Sequence, residues 1–386
     1  MFDYVDTQTK LAELLQQLAA SEWLAIDTEF IREKTYYPRL CLIQLASPEK
    51  LVCIDPLSIE DLSGLFDFLA NPKYLKIFHA AWQDLEILYH QGNKVPAPVF
   101  DTQIAAAVLG LGDQLGYARL VEELLGVQLD KSQSRTDWSR RPLNQRQLEY
   151  AIDDVRYLRE IYPILQQRLA ISGRQSWLQK SFQHLTDPAQ YDPDPYSCWK
   201  KVKGVQLLRP KQLAVLRELA AWREQQAIAK DLPRRWLVSD DVLIDMARIK
   251  ICKEKDFQQI RGLTREQIEQ HSSVWLSLIN NAQALPPEAW PELLRRRKLD
   301  AELALVADLL MVVVNQQALE NNISPQILAT RAQVEKMLIE GRQHLGDDWR
   351  GSLLNEPFEQ ILTGKLALKL KQQQVCIEEC KPDLAG

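Results

Sequence analysis

The 386-residue chain is poor in cysteine and histidine, and what it has is dispersed. Six cysteines stand at 41, 53, 198, 252, 376 and 380 without a C-x-x-C pair, and there are five histidines. That spacing excludes a disulfide scaffold and a zinc-finger-like cluster. Cys376 and Cys380 read as two reduced thiols close to the end rather than as half a metal site. Long apolar runs are missing too: none approaches the roughly 18 residues that span a bilayer. Residues 1–6 show neither the basic n-region nor the apolar h-region of a secretory signal. The expectation is a reduced, cytoplasmic protein.

What is present is ordinary for a globular chain, 46% hydrophobic and 26% charged, and long enough for two or three cores. The net charge of −5 hides a division. Residues 1–200 hold 20 basic against 27 acidic side chains, 201–262 hold 14 against 8, and 263–386 hold 13 against 17. An acidic first part suits metal ions and a basic middle suits a polyanion, although a solvated helix face also accounts for the excess in the middle.

Residues 7–19 show helical spacing behind a Thr cap. Apolar runs at 23–29, 39–46 and 50–54 predict three consecutive strands with hairpin connections, and 74–79 a fourth. Helices are predicted at 58–70, 81–91, 101–110, 117–126 and, longest, 144–172. Strands first, then strand–helix alternation, predict an α/β domain with a mixed sheet over 1–185. Residues 186–206, with several prolines and a basic run, read as a linker. Beyond it strand signals nearly vanish, and two all-α blocks are predicted at 207–288 and 295–375, followed by a tail at 376–386. The two blocks are alike in style, as a divergent duplication would be, with faint residue-level similarity.

Chemistry concentrates in three places. In Trp23-Leu-Ala-Ile-Asp27-Thr-Glu29-Phe30, two carboxylates at i and i+2 share one face of an extended chain. Side by side they repel and are costly to desolvate, so a divalent cation is the natural partner; two solvated acids at an exposed strand end are the plainer alternative. Asp84 falls in the first turn of a predicted helix, where the helix dipole alone favours a carboxylate. Tyr150 and Asp154, at i and i+4, share a face of the long helix, while Asp153 is turned about a hundred degrees away.

The order Asp-x-Glu, Asp, Tyr-x-x-x-Asp resembles the DEDD superfamily of 3′→5′ exonucleases. Glu149 stands where the other subclass has histidine, so the resemblance is to the tyrosine type. Leu24-Ala-Ile-Asp-Thr-Glu-Phe, Asp137-Trp-Ser-Arg-Arg-Pro-Leu143 and Tyr150-Ala-Ile-Asp-Asp-Val are similar to the ribonuclease D family. Thr136 stands where that family often has serine. Leu216-Arg-Glu-Leu-Ala-Ala-Trp-Arg, with Leu232-Pro-Arg-Arg-Trp-Leu-Val-Ser-Asp-Asp-Val-Leu, resembles the HRDC domain shared with RecQ-type helicases. Two such domains behind a ribonuclease H-like nuclease is the layout of that family.

The resemblance implies that Asp27, Glu29, Asp84 and Asp154 hold two Mg²⁺ or Mn²⁺ ions, a donor set of hard oxygens that suits either. Two ions about 3.5–4 Å apart clamp the attacking and leaving oxygens of a phosphodiester. Asp27 would bridge them, Glu29 and Asp154 complete one site, and Asp84 serve the other through water. Tyr150 would orient the attacking water rather than act as base, since an ordinary phenol with a pKa near 10 stays protonated. The implied product is a nucleoside 5′-monophosphate cut from a 3′ end.

Substrate contacts are expected from Phe30 by base stacking, and from Gln44 and His79 near strand ends. Lys131, Arg135, Arg140 and Arg141 precede the long helix and are candidates for RNA phosphates, with Trp138 a packing anchor of that loop. Asp101 reads as an N-cap. In the first helical block Arg234, Arg235, Lys250 and Lys253, with Trp222 and Trp236 among them, predict a salt-sensitive RNA-binding surface. The acidic second block reads as a packing element. The expected activity is a metal-dependent exoribonuclease trimming structured RNA such as tRNA precursors, without a membrane or an obligate protein partner. The alternative within the same chemistry is DNA; a non-catalytic scaffold would have lost one of the four carboxylates.

Overall fold

The computed structural model describes residues 2–130, 132–133, 136–293 and 299–380. Lys131 and Arg135, among the expected RNA contacts, lie outside the described residues. The described residues form two units, one of residues 1–29, 42–187 and 297–386, the other of residues 30–41 and 188–296.

The first unit is built on a six-stranded mixed sheet. In chain order its elements are β1 (Asp3–Val5), α1 (Gln8–Leu18), β2 (Trp23–Ile31), β3 (Arg39–Ala46), β4 (Leu51–Ile54), α2 (Ser63–Ala70), β5 (Leu75–Phe78), α3 (Trp82–Gly92), β6 (Val99–Asp101), α4 (Thr102–Val108), α5 (Tyr117–Leu125), α6 (Gln145–Ser172) and α7 (Gln179–Leu185). The sheet order is β1-β4-β3-β2-β5-β6. β1 runs parallel to β4, β3 antiparallel to β4, and β2, β5 and β6 parallel to one another. β2 is therefore a central strand, and Leu24, Ala25 and Ile26 are buried at its core. β3 is buried from Leu40 to Ala46, which is why it reads as an unbroken apolar run instead of an alternating one. The three-residue strands β1 and β6 were not expected from the sequence; they are too short to carry a periodic signal.

α6 packs on β4, β5, α4 and α5. Its start is fixed by a capping box: the Asn144 side chain accepts from the Gln147 N–H, and Gln147 Oε1 accepts from the Asn144 N–H at 3.0 Å. The helix begins where the sequence places it, and this sets the register of Tyr150 and Asp154.

The second unit holds α8 (Pro210–Ala229), α9 (Arg234–Leu237), α10 (Asp240–Arg248) and α11 (Arg265–Gln283). Residues 186–206 are not a free linker: Pro195–Lys201 forms a 3-10 helix packed on α8. Trp199, 3% exposed, enters the same core as Val202, Val205 and Leu208. Prolines and charges misled here because these buried side chains outweigh them. Trp222 also belongs to this core, edge-on to Trp275 at 5.3 Å.

The third helical set is α12 (Ala301–Glu320), α13 (Pro325–Leu328), α14 (Arg331–Ile339) and α15 (Trp349–Leu362). Pro210, Arg234 and Asp240 open α8, α9 and α10; Ala301, Pro325 and Arg331 open α12, α13 and α14, a constant offset of 91 residues. Helix lengths of 20, 4 and 9 residues match in both sets. Even the left-handed turn residue recurs, Asp231 at φ 48° and Asn322 at φ 50°. The two sets thus match in helix order, helix length and turn geometry, although their side chains differ. By length and composition α12 is the one helix among the described residues able to cross a membrane, contrary to the expectation of no such run. Here Ala307, Leu310, Val313, Val314 and Ala318 of α12 form the core of this block.

This block groups with the nuclease fold. Trp177 stacks on Trp349 with ring centroids 4.1 Å apart, and Ser324 Oγ donates to Asp113 Oδ2 at 2.7 Å. Gly110, at φ 80°, has no room for a side chain: a Cβ would meet the Asn322 carbonyl oxygen at 2.0 Å. The end of the chain is not all helix and tail, since β7 (Leu366–Lys371) and β8 (Gln374–Glu379) form an antiparallel hairpin.

Candidate active site

Asp27 and Glu29 project from the central strand β2, and Asp154 comes from the third turn of the capped helix α6. Carboxylate oxygens of the three lie within 4.8 Å of one another. Asp84 reaches the same region from the first turn of α3. Its Oδ1 accepts from Thr28 Oγ1 at 2.5 Å, so the residue between the two β2 acids holds the fourth carboxylate.

The turn that aims Asp84 is itself organised by one side chain. Asp101 accepts from the Ala80 and Ala81 N–H groups at 3.1 and 2.8 Å, and caps α4 by accepting from Gln103 and Ile104. Ala80 sits at φ 58°, a left-handed conformation that non-glycine residues seldom adopt. The expected N-cap is there, and it also tethers the β5–α3 junction.

Crowding of four carboxylates, Asp84 buried and the other three half-buried, shifts their protonation. Burial, then the charges of Asp154, Asp84 and Glu29, push Asp27 well above the usual carboxylate range, opposed by the Thr28 backbone N–H. Burial, then Asp154 and Asp84, raise Glu29 to about 9. Burial raises Asp84 to about 7 against the Thr28 hydrogen bonds, and Asp154 to about 7 with help from Asp153 and Asp84. Among the described residues no ion pair with Lys, Arg or His relieves any of the four. A compact set of hard oxygen donors lacking a protein counter-charge fits a divalent cation.

Tyr150 lies one turn before Asp154 on α6, half-buried, with its ring 6.1 Å from that of Trp138. Burial, then Asp154, Glu29 and Asp27, raise its pKa, so the phenol keeps its proton and is a donor at neutral pH. Trp138 is 2% exposed, the packing anchor expected. Asp153 points away and pairs with Arg156. Its carbonyl accepts from Tyr117 Oη at 3.0 Å. Tyr117 and Thr28 were not singled out from the sequence. Thr28 was passed over because strand alternation turns it from the acids, and nothing local marks Tyr117, which meets α6 only in three dimensions.

The expected substrate contacts fare unevenly. Phe30 is half-buried directly after Glu29. Gln44 is 0% exposed with neither amide atom bonded, so a substrate does not reach it: β3 is covered on both faces. The Thr102 hydroxyl donates to the Phe78 carbonyl and therefore accepts from His79 Nδ1 at 3.0 Å. Burial lowers the His79 pKa despite Asp101, leaving a neutral ring packed edge-on against Tyr117. Arg140 is exposed beside Asp137.

Arg141 is committed elsewhere. Its Nε and Nη2 donate to the two oxygens of Asp55 at 2.6 and 2.7 Å, and its Nη1 donates to the Trp138 carbonyl at 2.8 Å. In the second unit Arg234 is also engaged. It forms a fork with Glu224, donates to Tyr36 Oη at 2.8 Å and lies over that ring at 4.8 Å. Both arginines were expected on RNA; each instead neutralises a carboxylate that is nearly buried. Arg235, Lys250 and Lys253 are exposed.

Comparison with known proteins points to one family. A family model described as 3′-5′ exonuclease matches residues 2–170, and one described as HRDC domain matches residues 212–279. The chain is similar to the ribonuclease D of Bartonella henselae, 38% identical over 97% of this chain and 93% of the relative. It is 39% identical to that of Sphingobium indicum over 95% of each chain. The crystal structure of Escherichia coli RNase D, described as an exoribonuclease involved in structured RNA processing, superposes with a TM-score of 0.83. That match has 34% identity and covers 94% of this chain and 99% of that one.

Proposed function

Because the chain belongs to the ribonuclease D family and is a 3′→5′ exoribonuclease, we propose that Asp27, Glu29, Asp84 and Asp154 carry its hydrolysis of RNA with divalent metal. The observation that carries this reading is the unrelieved cluster of Asp27, Glu29 and Asp154 within 4.8 Å. The family is dependent on divalent metal, and the finer reading is two Mg²⁺ or Mn²⁺ ions. Asp27, Glu29 and Asp154 would hold one, and Asp84, set by Thr28, would serve the other. Bound there, such ions activate water and offset charge on the leaving oxygen. Tyr150, protonated at neutral pH and beside three of the acids, donates a hydrogen bond that orients the attacking water. The product is a nucleoside 5′-monophosphate.

The substrate we propose is the 3′ end of structured RNA such as a tRNA precursor, in keeping with the described role of the Escherichia coli relative. DNA is not favoured, because the relatives are ribonucleases. The HRDC domain supplies exposed Arg235, Lys250 and Lys253 for phosphates. The constant 91-residue offset supports reading α12–α15 as a second HRDC-like domain. Six dispersed cysteines without a C-x-x-C pair support a reducing, cytoplasmic setting.

Degradation of 3′-labelled and 5′-labelled RNA and DNA, with and without EDTA, tests the reading. Labelled mononucleotide released first from 3′-labelled RNA, and blocked by EDTA, is expected. Release from the 5′ end, or activity untouched by EDTA, refutes it.

A further inference from the structure

The segment 30–41, which continues the chain directly from Glu29, belongs with the HRDC-containing unit. There it closes one wall of a cavity of about 730 Å³, lined also by Lys201, Arg223, Arg235 and Trp236. The wall is rigid. Tyr36 donates to Glu224 and accepts from Arg234, and its backbone N–H donates to Asp231 Oδ1 at 3.0 Å. Arg223, 5% exposed, is tied to Asp240 and the Val238 carbonyl through Nη1 and leaves its buried Nε without an acceptor. At the rim, Trp236 is 57% exposed, an unusual position for a large aromatic side chain, and Arg235 and Lys201 are exposed beside the same space. An exposed aromatic ring and cations lining one cavity are the composition of a single-strand nucleic-acid subsite.

We infer that this cavity holds an unpaired nucleotide of the RNA strand upstream of the scissile end. Its base stacks on Trp236, and its phosphate lies between Lys201 and Arg235. Arg234, held by Glu224 and Tyr36 through Nε and Nη2, shapes the wall. The inference rests on the exoribonuclease reading of Asp27 and Glu29. Arg32 on the cavity lining follows Glu29 by three positions, no more than about 11 Å of extended chain, which a strand of a few nucleotides covers. The cavity thus meters how much single-stranded tail an RNA must offer.

The test uses the full chain carrying Asp27→Asn, so that RNA is bound and not consumed. Affinity is measured for a 5′-labelled oligoadenylate of about eight nucleotides and for a dinucleotide too short to reach the cavity. Trp236→Ala is expected to weaken the longer strand about 5- to 150-fold, which is 1–3 kcal/mol per stacked base at 1.4 kcal/mol per tenfold. Trp236→Phe, which keeps a ring, is expected to lose less, and the dinucleotide is expected to show no difference among the three. Arg235→Gln should lower the salt slope for the longer strand by about one. Equal losses for the Ala and Phe variants, equal losses on both RNAs, or no loss on either would each overturn the inference. Mononucleotide release by the unsubstituted chain, assayed in parallel, reports separately on the exoribonuclease reading.

Discussion

Replacing Arg141 by alanine separates two roles that the sequence could not. The side chain is 22% exposed and its partner carboxylate, Asp55, 2%. Asp55 also accepts from Tyr4 Oη, Ser58 Oγ and the Leu57 N–H at 2.7, 3.0 and 3.0 Å. Removing the guanidinium strands a nearly buried carboxylate, a class of change that costs about 3–5 kcal/mol. At roughly 2–4 °C per kcal/mol for a unit of this size, the melting temperature of the first unit should fall by around 10 °C. The same ion pair makes a pH prediction. Burial raises the Asp55 pKa, but Arg141, Tyr4, Ser58 and Leu57 outweigh it and hold it below the ordinary value. A depressed carboxylate contributes stability above its unfolded pKa, near 4, that is lost as pH falls through the folded value. The parent should therefore lose its advantage over Arg141→Ala under acid conditions, as followed by thermal unfolding from pH 7 to pH 3. Unchanged stability at neutral pH, together with an RNA-binding salt slope lower by about one, would mean that Arg141 grips phosphate and that the structural role is wrong.

Other expectations follow from the site. Thr28→Val removes the hydrogen bond to Asp84 and should cost roughly 10- to 100-fold in activity or metal affinity, visible as a higher Mg²⁺ requirement; a parental Mg²⁺ titration curve would deny Thr28 its role. Tyr150→Phe should lower kcat tenfold or more while leaving the Kd for RNA near its parental value, so a change confined to Kd would reassign the phenol to substrate binding. Glu224→Ala leaves Arg234 and Tyr36 without their shared acceptor while Arg234, 44% exposed, stays open to water, and should destabilise the HRDC-containing unit by about 1.5–3 kcal/mol in denaturant unfolding; an unshifted midpoint would refute the shared-acceptor account.

Much of the candidate site was legible because its spacing is local. Two acids at i and i+2 on a strand share a face whatever surrounds them, and Tyr150 and Asp154 at i and i+4 share one on any helix. What local spacing cannot encode is which cation already has a carboxylate. Arg141 finds Asp55 86 residues away, and Arg234 finds Glu224 across the α8–α9 turn, so their positive charge offered no warning that it was spent. Gln44 failed for a related reason: the polarity of one residue says nothing of a strand covered on both faces. Residues 186–206 read as a linker because prolines are visible in sequence, whereas the burial of Trp199, Val202 and Val205 is a property of the packed unit. The likeness of the two helical sets, faint in side chains, shows in helix lengths and in the left-handed residues Asp231 and Asn322, since one backbone geometry accommodates many side chains.

The central claim is that four clustered carboxylates, unpaired by any described cation of the chain, serve hydrolysis through divalent metal. Mononucleotide release from 3′-labelled RNA in Mg²⁺ by Asp27→Asn, beside the parent chain and with RNA binding measured on the same samples, tests it most directly. The account predicts loss of release with RNA binding largely kept. Release at the parental rate would contradict it.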